Sequence, residues 1–251
     1  MLALPPEGWL RLGPNAALAA WAAAARPLAI AALAESPDPW RAGGTWHVGL
    51  DHLPNTPDGA LPGRAFPWAA LPLAPLPLHR AQVSAIRAGY PRRAEGETDA
   101  AFRYRTTRDA AHLDGLIAEG PHKRRFVREP HAWVLGLALN DHDPGAAPLS
   151  LWEGSHRIMQ AALAAALAPH PAARWGDVDV TDAYAAARRA VFDECRRVEV
   201  AQRPGEAVIL HRHLLHGMAP WAQGAKAPPE GRLIVYFRPV LADVAAWMAP
   251  G

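Results

Sequence analysis

Apolar positions along this 251-residue chain fall into one Ala-rich tract, a Pro-rich stretch, and then a succession of short apolar runs broken by Gly and Pro. Residues 16–34, AALAAWAAAARPLAIAALA, are almost uniformly apolar but interrupted by Arg26 and Pro27. This predicts two short helices, the first capped by Asn15 and the pair separated by Pro27. Residues 53–77 carry too many prolines for regular structure. Their Phe66, Trp68 and leucines predict a segment packed on the surface. The strand-like runs follow: HRAQVSAIRAGY (79–90), then after an acidic turn AFRYRTT (101–107), then HAWVLGLAL (131–139). LSLW (149–152), RVEVA (197–201), EAVIL (206–210), HLLHG (213–217) and RLIVYF (232–237) complete the series. Short strands so spaced predict a sandwich or barrel. Two helices interrupt them, at 156–168 with Ser155 as N-cap and at about 182–197 with Thr181 or Asp182 as cap. Tyr184, Val191, Phe192 and Cys195 lie near one face of the second, which reads as core packing.

Composition narrows the function classes. Half the chain is hydrophobic and 20% is charged, which excludes a disordered protein. Ala contributes 55 residues to that half, so the core must come from Leu, Val, Ile, Phe and the ten Trp. All basic residues but Lys123 and Lys226 are Arg, a bias that reads as GC-rich bacterial coding. A net charge of +2 is too small for a general nucleic-acid or membrane-surface protein. The single Cys195 excludes an intramolecular disulfide and any Cys-built metal site. A metal would therefore have to be held by His and carboxylate. The 16–34 run is too weakly apolar to span a bilayer. Pro5, Pro6 and Glu7 ahead of it do not make the positive start of a secretory signal. The expectation is a soluble cytoplasmic protein.

Four places carry chemistry. His112 and Asp114 stand two apart, so on an extended segment both face one side and can reach one ion; taken alone the spacing is a weak motif, and a surface turn is the leading account of it. In HRHLLHG (211–217), His213 and His216 are candidate ligands delivered by a strand, or members of a His-rich loop. Arg232 opens a buried strand, where its planar fork suits a carboxylate; a surface Arg at a strand end is the alternative. Gly154-Ser155-His156 reads as a helix cap rather than a nucleophile pair, because adjacent side chains rarely face each other.

The order of these motifs resembles the phytanoyl-CoA dioxygenase-like family of Fe(II)/2-oxoglutarate oxygenases over roughly residues 100–240. The matching residues are His112-Leu-Asp114, Ala138-Leu-Asn140-Asp141, Pro148 to Gly154-Ser155-His156, Gly205-Glu206-Ala-Val, Leu214-Leu215-His216-Gly217 and Arg232. Departures are Glu153 for the family's Pro, Glu206 for its Asp, and a longer gap of 16 residues between His216 and Arg232. The resemblance implies a mainly β fold with flanking helices on a double-stranded β-helix (jelly-roll, cupin-like) core. It implies one oxygenase domain over 1–251, with a helical N-terminal layer (1–40), a core (41–240) and a helical insert (156–197).

It further implies Fe(II) on His112, Asp114 and His216, with Arg232 pairing the far carboxylate of 2-oxoglutarate. O2 would be consumed, succinate and CO2 released, and a small molecule oxidised. Related halogenases lack the carboxylate of the His-x-Asp, so Asp114 favours hydroxylation or desaturation. Further cosubstrate contacts do not align cleanly; Gln82, Ser84, Arg87 and Arg105 are candidates. Arg124 and Arg125, in the basic loop 121–131, are candidate contacts to an anionic substrate, or solvated charges paired with Glu119 and Glu129. The other readings are a non-catalytic member of the fold and a 2-oxoglutarate-independent, cupin-like metal protein. No nucleic-acid or membrane partner is expected, and oligomeric state is not legible.

Overall fold

The structure, a computed structural model, describes residues 4–249. The chain starts with β1 (Trp9–Leu12), the long helix α1 (Ala16–Glu35), the single turn α2 (Arg41–Gly44), β2 (Trp46–Gly49) and β3 (Gln82–Ile86). Helix α3 (Asp99–Thr107) precedes the hairpin β4 (Leu116–Glu119) and β5 (Arg124–Val127). Strands β6 (Trp133–Ala138) and β7 (Leu149–Trp152) lead into helices α4 (Ser155–Leu167) and α5 (Thr181–Glu194). Strands β8 (Arg197–Val200), β9 (Ala207–His211), β10 (His216–Met218) and β11 (Arg232–Phe237), then α6 (Val244–Met248), close the order.

The strands form an antiparallel six-stranded sheet, β1-β9-β6-β11-β3-β2, and a three-stranded sheet, β10-β7-β8. Alternation along β11 shows how they stack. Leu233, Val235 and Phe237 face α1, packing with Trp21, Ala25, Phe66, Val83 and Leu135. Ile234 and Tyr236 face the other way, packing with Leu149 and Leu151 of the small sheet. Arg232, two residues before Ile234, falls on this interior side. By length and composition alone α1 is apolar enough to cross a membrane; here its Leu18, Trp21, Ala22, Ala25 and Ala29 are buried against the sheet and the Pro-rich segment.

Four sequence expectations need correction. First, α1 is one helix, with Pro27 inside it. Pro27 is exposed, so the carbonyl it leaves without an N–H partner can turn to water, while packing on both sides holds the axis. Asn15 does cap it, accepting from the amides of Ala17 and Leu18 at 2.9 and 3.2 Å. Second, residues 101–107 are helical, not a strand. Thr98 caps Ala101 at 3.2 Å and Asp99 lies in the first turn, which outweighs the alternation. Third, residues 9–12 are a strand on β9, so the N-terminal layer is not purely helical. Fourth, Gly154, at φ +78°, is the N-cap of α4, and Ser155 is the helix's buried first residue.

Replacing exposed Pro27 with Ala restores a helix donor without touching the core. Pro27→Ala should stabilise the protein by about 1–3 kcal/mol, read from denaturant midpoints.

Candidate metal centre

The site begins with backbone pairing. The His112 amide donates to the His216 carbonyl at 2.8 Å, and the His216 amide returns a bond to the His112 carbonyl at 3.1 Å. Met218 N also reaches Asp109 O, at 2.9 Å. This close pass explains Gly217: a Cβ there would lie 2.3 Å from Asp109 O and 3.2 Å from the Cα of Ala111. The turn before His112 is tight, with Asp109 and Ala110 at φ +53° and +50°. The buried Asp109 carboxylate is held by Arg197 Nε at 2.5 Å. From the other side, Ser155 Oγ accepts the Leu215 amide at 2.9 Å, fixing the residue before His216. The serine read as a helix cap therefore positions the second histidine.

Pairing in register puts three side chains together. Their ligand atoms all lie within 4.8 Å of one another. His112 Nε2 is 3.3 Å from Asp114 Oδ1, and His216 Nε2 is 3.5 Å from Asp114 Oδ2. Each Nδ1 faces a backbone carbonyl, Ala110 O at 3.1 Å and Leu214 O at 2.9 Å. Assigning the proton to Nδ1 satisfies both carbonyls and aims both Nε2 lone pairs at the carboxylate. In that neutral form the two Nε2 lone pairs and the carboxylate make a donor set for a cation. Ligands at right angles around a small ion at about 2.1 Å are about 3 Å apart, close to the separations here. Burial works against charge on Asp114, yet Arg238, then His216 and His112, hold its carboxyl well below the usual carboxylate range. Burial likewise disfavours charge on His216, but Asp114 prevails and raises it. The sequence missed Arg238, whose Nη1 lies 3.2 Å from Asp114 Oδ2 and whose Nη2 donates to Gln82 Oε1.

The cavity opening on the triad is also lined by Trp46, Gln82, Ser84, Tyr90 and Tyr236. Arg232 stands behind Tyr236, at 2% exposure. Its Nη2 donates weakly to Tyr236 Oη at 3.3 Å, and its Nη1 has no partner. Among the described residues no carboxylate lies within ion-pair distance of it. Asn140 fixes its backbone neighbours: Oδ1 accepts from Leu233 N at 3.0 Å and Nδ2 donates to Gly231 O at 2.8 Å. A buried guanidinium with open donor capacity is costly unless an anion meets it.

The remaining candidates divide. Gln82 and Ser84 line the triad cavity. Arg87 stacks on Trp40 at 3.6 Å, away from it. Arg105 is held by Glu97 at 2.6 Å on α3 and does not line the cavity. Arg124 is neutralised by Asp179 and Asp182, and Arg125 lies over Tyr184 at 5.4 Å; neither reaches the cavity. Glu119 pairs instead with Arg128. His213 is wholly buried against Trp247, ring centroids 4.3 Å apart, and is no member of the triad.

A mainly β protein with a His–Asp–His cluster at a cavity wall, His216 buried and His112 half-exposed, is thus the class that the geometry defines. No protein-family model matches the chain, and no curated protein matches it. Solved structures similar to it include the non-heme alpha ketoglutarate dependent carbocyclase SnoK from nogalamycin biosynthesis, at TM-score 0.48 and 15% identity over 98% of this chain and 88% of that one. The epimerase SnoN in complex with Fe3+, alpha ketoglutarate and nogalamycin RO matches at TM-score 0.49 and 17% identity over 93% and 78%. EctD from S. alaskensis with bound Fe matches at TM-score 0.42 and 13% identity over 93% and 72%.

Two outcomes are expected. Gly217→Ala forces the backbones at the triad apart, so Co(II) affinity by calorimetry should fall about tenfold or more while the chain stays folded. Burial holds His131 down at about 4 and His211 at about 3, and pushes His213 well below the ordinary imidazole value. The unfolded chain therefore takes up these protons first. Stability is full above about pH 6.5 and is lost as pH falls from there, by about 1.4 kcal/mol per pH unit for each histidine, until about 4 for His131 and about 3 for His211. Denaturation at several pH values checks this.

Proposed function

We propose that the protein is an Fe(II)/2-oxoglutarate-dependent oxygenase of the hydroxylase type, a single domain on a double-stranded β-helix (jelly-roll) core. The reaction would be R–H + 2-oxoglutarate + O2 → R–OH + succinate + CO2, with R–H a small molecule. The two sheets would be the two halves of the β-helix, the triad at one end of the space between them and Arg232 farther in.

The observation that carries this reading is the buried, unpaired Arg232. A His–Asp–His cluster alone would serve many metal reactions. A dry guanidinium with a free Nη1, on the interior side of the sheet and linked through Tyr236 to the triad cavity, calls for a carboxylate ligand in the same space. This favours the reading over a metal site without a second carboxylate ligand.

His112, Asp114 and His216 would hold Fe(II) on one side, leaving positions open for the cosubstrate. Bound there, iron and 2-oxoglutarate supply the oxidising power. The chain's part is positioning: Asn140 holds the backbone on both sides of Arg232, and Arg232 would orient the cosubstrate by its far carboxylate. Arg238 steadies Asp114 as an ionised ligand, and Trp46, Val134, Leu149 and Met218 give the cavity its apolar lining. Asp114, retained where a halogenase lacks it, leaves no place for a halide ligand.

Anaerobic titration with Fe(II) and 2-oxoglutarate should give a weak visible charge-transfer band, and aerobic turnover should yield succinate. Arg232→Met should weaken 2-oxoglutarate binding about tenfold to a hundredfold while metal binding persists. His216→Ala should lose the metal. A wild-type protein with Fe(II) but no band rejects the assignment.

A further inference from the structure

A second cavity, of about 210 Å3, opens beside the triad. Gln82 and Arg238 line both spaces and so stand between them. The second cavity's mouth carries Leu50 and Val240, 53% and 67% exposed, two of the few large apolar side chains left open to solvent among the described residues. Exposed apolar groups flanking one opening mark a binding site better than scattered ones do.

Its six polar side chains divide: Asp51, Glu129 and His131 offer acceptors, while Arg238, His79 and the Gln82 amide carry the donors, of which only Arg238 is charged. His131 is buried, its Nδ1 faces Glu129 O at 3.1 Å, and its Nε2 has no partner. With the proton on Nδ1, Nε2 offers a lone pair. The exposed carboxylates Asp51 and Glu129 stand at the cavity wall, and no Arg or Lys lies within ion-pair distance of either among the described residues. His79 approaches Asp51 at 3.4 Å, but its Nε2 accepts from Arg238 N at 2.8 Å, so its one proton sits on Nδ1, 2.6 Å from Arg80 O. The cavity's single guanidinium, Arg238, is committed to Asp114 and Gln82. An anionic ligand would find no free cation here, and a hydrogen-bond donor with positive charge would find three acceptors.

We propose that the primary substrate is an apolar amine that binds in this cavity. Its hydrocarbon part lies between Leu50 and Val240, its ammonium group meets Asp51, Glu129 and His131 Nε2, and a C–H is presented past Arg238 toward the triad. This rests on the triad being the oxygenase centre, and it excludes phosphate and acyl-carboxylate substrates.

The test uses the whole protein near neutral pH, titrated with n-hexylamine and hexanoate and followed by ligand-observed NMR with and without Mn(II). Hexylamine should bind about tenfold more tightly than hexanoate. Asp51→Asn combined with Glu129→Gln, both exposed and safe for folding, should weaken hexylamine about threefold or more. Mn(II) should broaden the bound hexylamine protons. Equal or tighter hexanoate binding, an unchanged double variant, or bound hexylamine that Mn(II) leaves sharp would each overturn the proposal. Failure of Mn(II) to bind, seen in water relaxation, would instead overturn the metal reading, and the two probes would still report the cavity's preference.

Discussion

The pair of backbone hydrogen bonds between His112 and His216 is the constraint on which the site depends. Residues more than a hundred positions apart are set side by side by main-chain geometry, and their side chains inherit that alignment. Everything nearby serves this contact. Gly217 lets the two backbones approach, Ser155 pins the Leu215 amide, and Arg197 holds the carboxylate of the strained Asp109. Side chains alone, with their rotamer freedom, would hold three ligand atoms less firmly than paired strands do.

Charge at the two ends of β11, Arg232 opening it and Arg238 one residue past its close, separates two tasks. Arg238, at the triad end, is satisfied by Asp114 and Gln82 and keeps the carboxylate ionised. Arg232, six residues earlier on the same interior side, is left without an anion. Two arginines presented inward, one paired and one open, are expensive to bury. Asn140 and Tyr236 meet part of that cost by fixing the strand's start and giving Nη2 an acceptor.

Much of this was legible in sequence. The runs around 131–139, 149–152, 206–210 and 232–237 became strands because apolar, β-branched sequence admits little else when buried on both faces. His112, Asp114, His216 and Arg232 stood out by their order. What was not legible depends on partners far along the chain. Residues 9–12 are a strand only because β9 offers an edge. The alternation in 101–107 hid a helix whose start is set by Thr98. Pro27 passed for a break because the packing that carries α1 through it comes from elsewhere. Ser155 and Arg238 reach their partners across 60 and 124 positions, and no local pattern announces such pairs.

The central claim is that the space between the two sheets would hold a metal at the triad and, deeper behind Tyr236, a dicarboxylate anchored by Arg232. Diffraction from crystals loaded anaerobically with Fe(II) and 2-oxoglutarate, collected at the iron edge, tests it most directly. The account predicts one anomalous peak among His112 Nε2, Asp114 and His216 Nε2, with the far carboxylate of 2-oxoglutarate on Arg232. Iron elsewhere, or 2-oxoglutarate bound clear of Arg232, would contradict it.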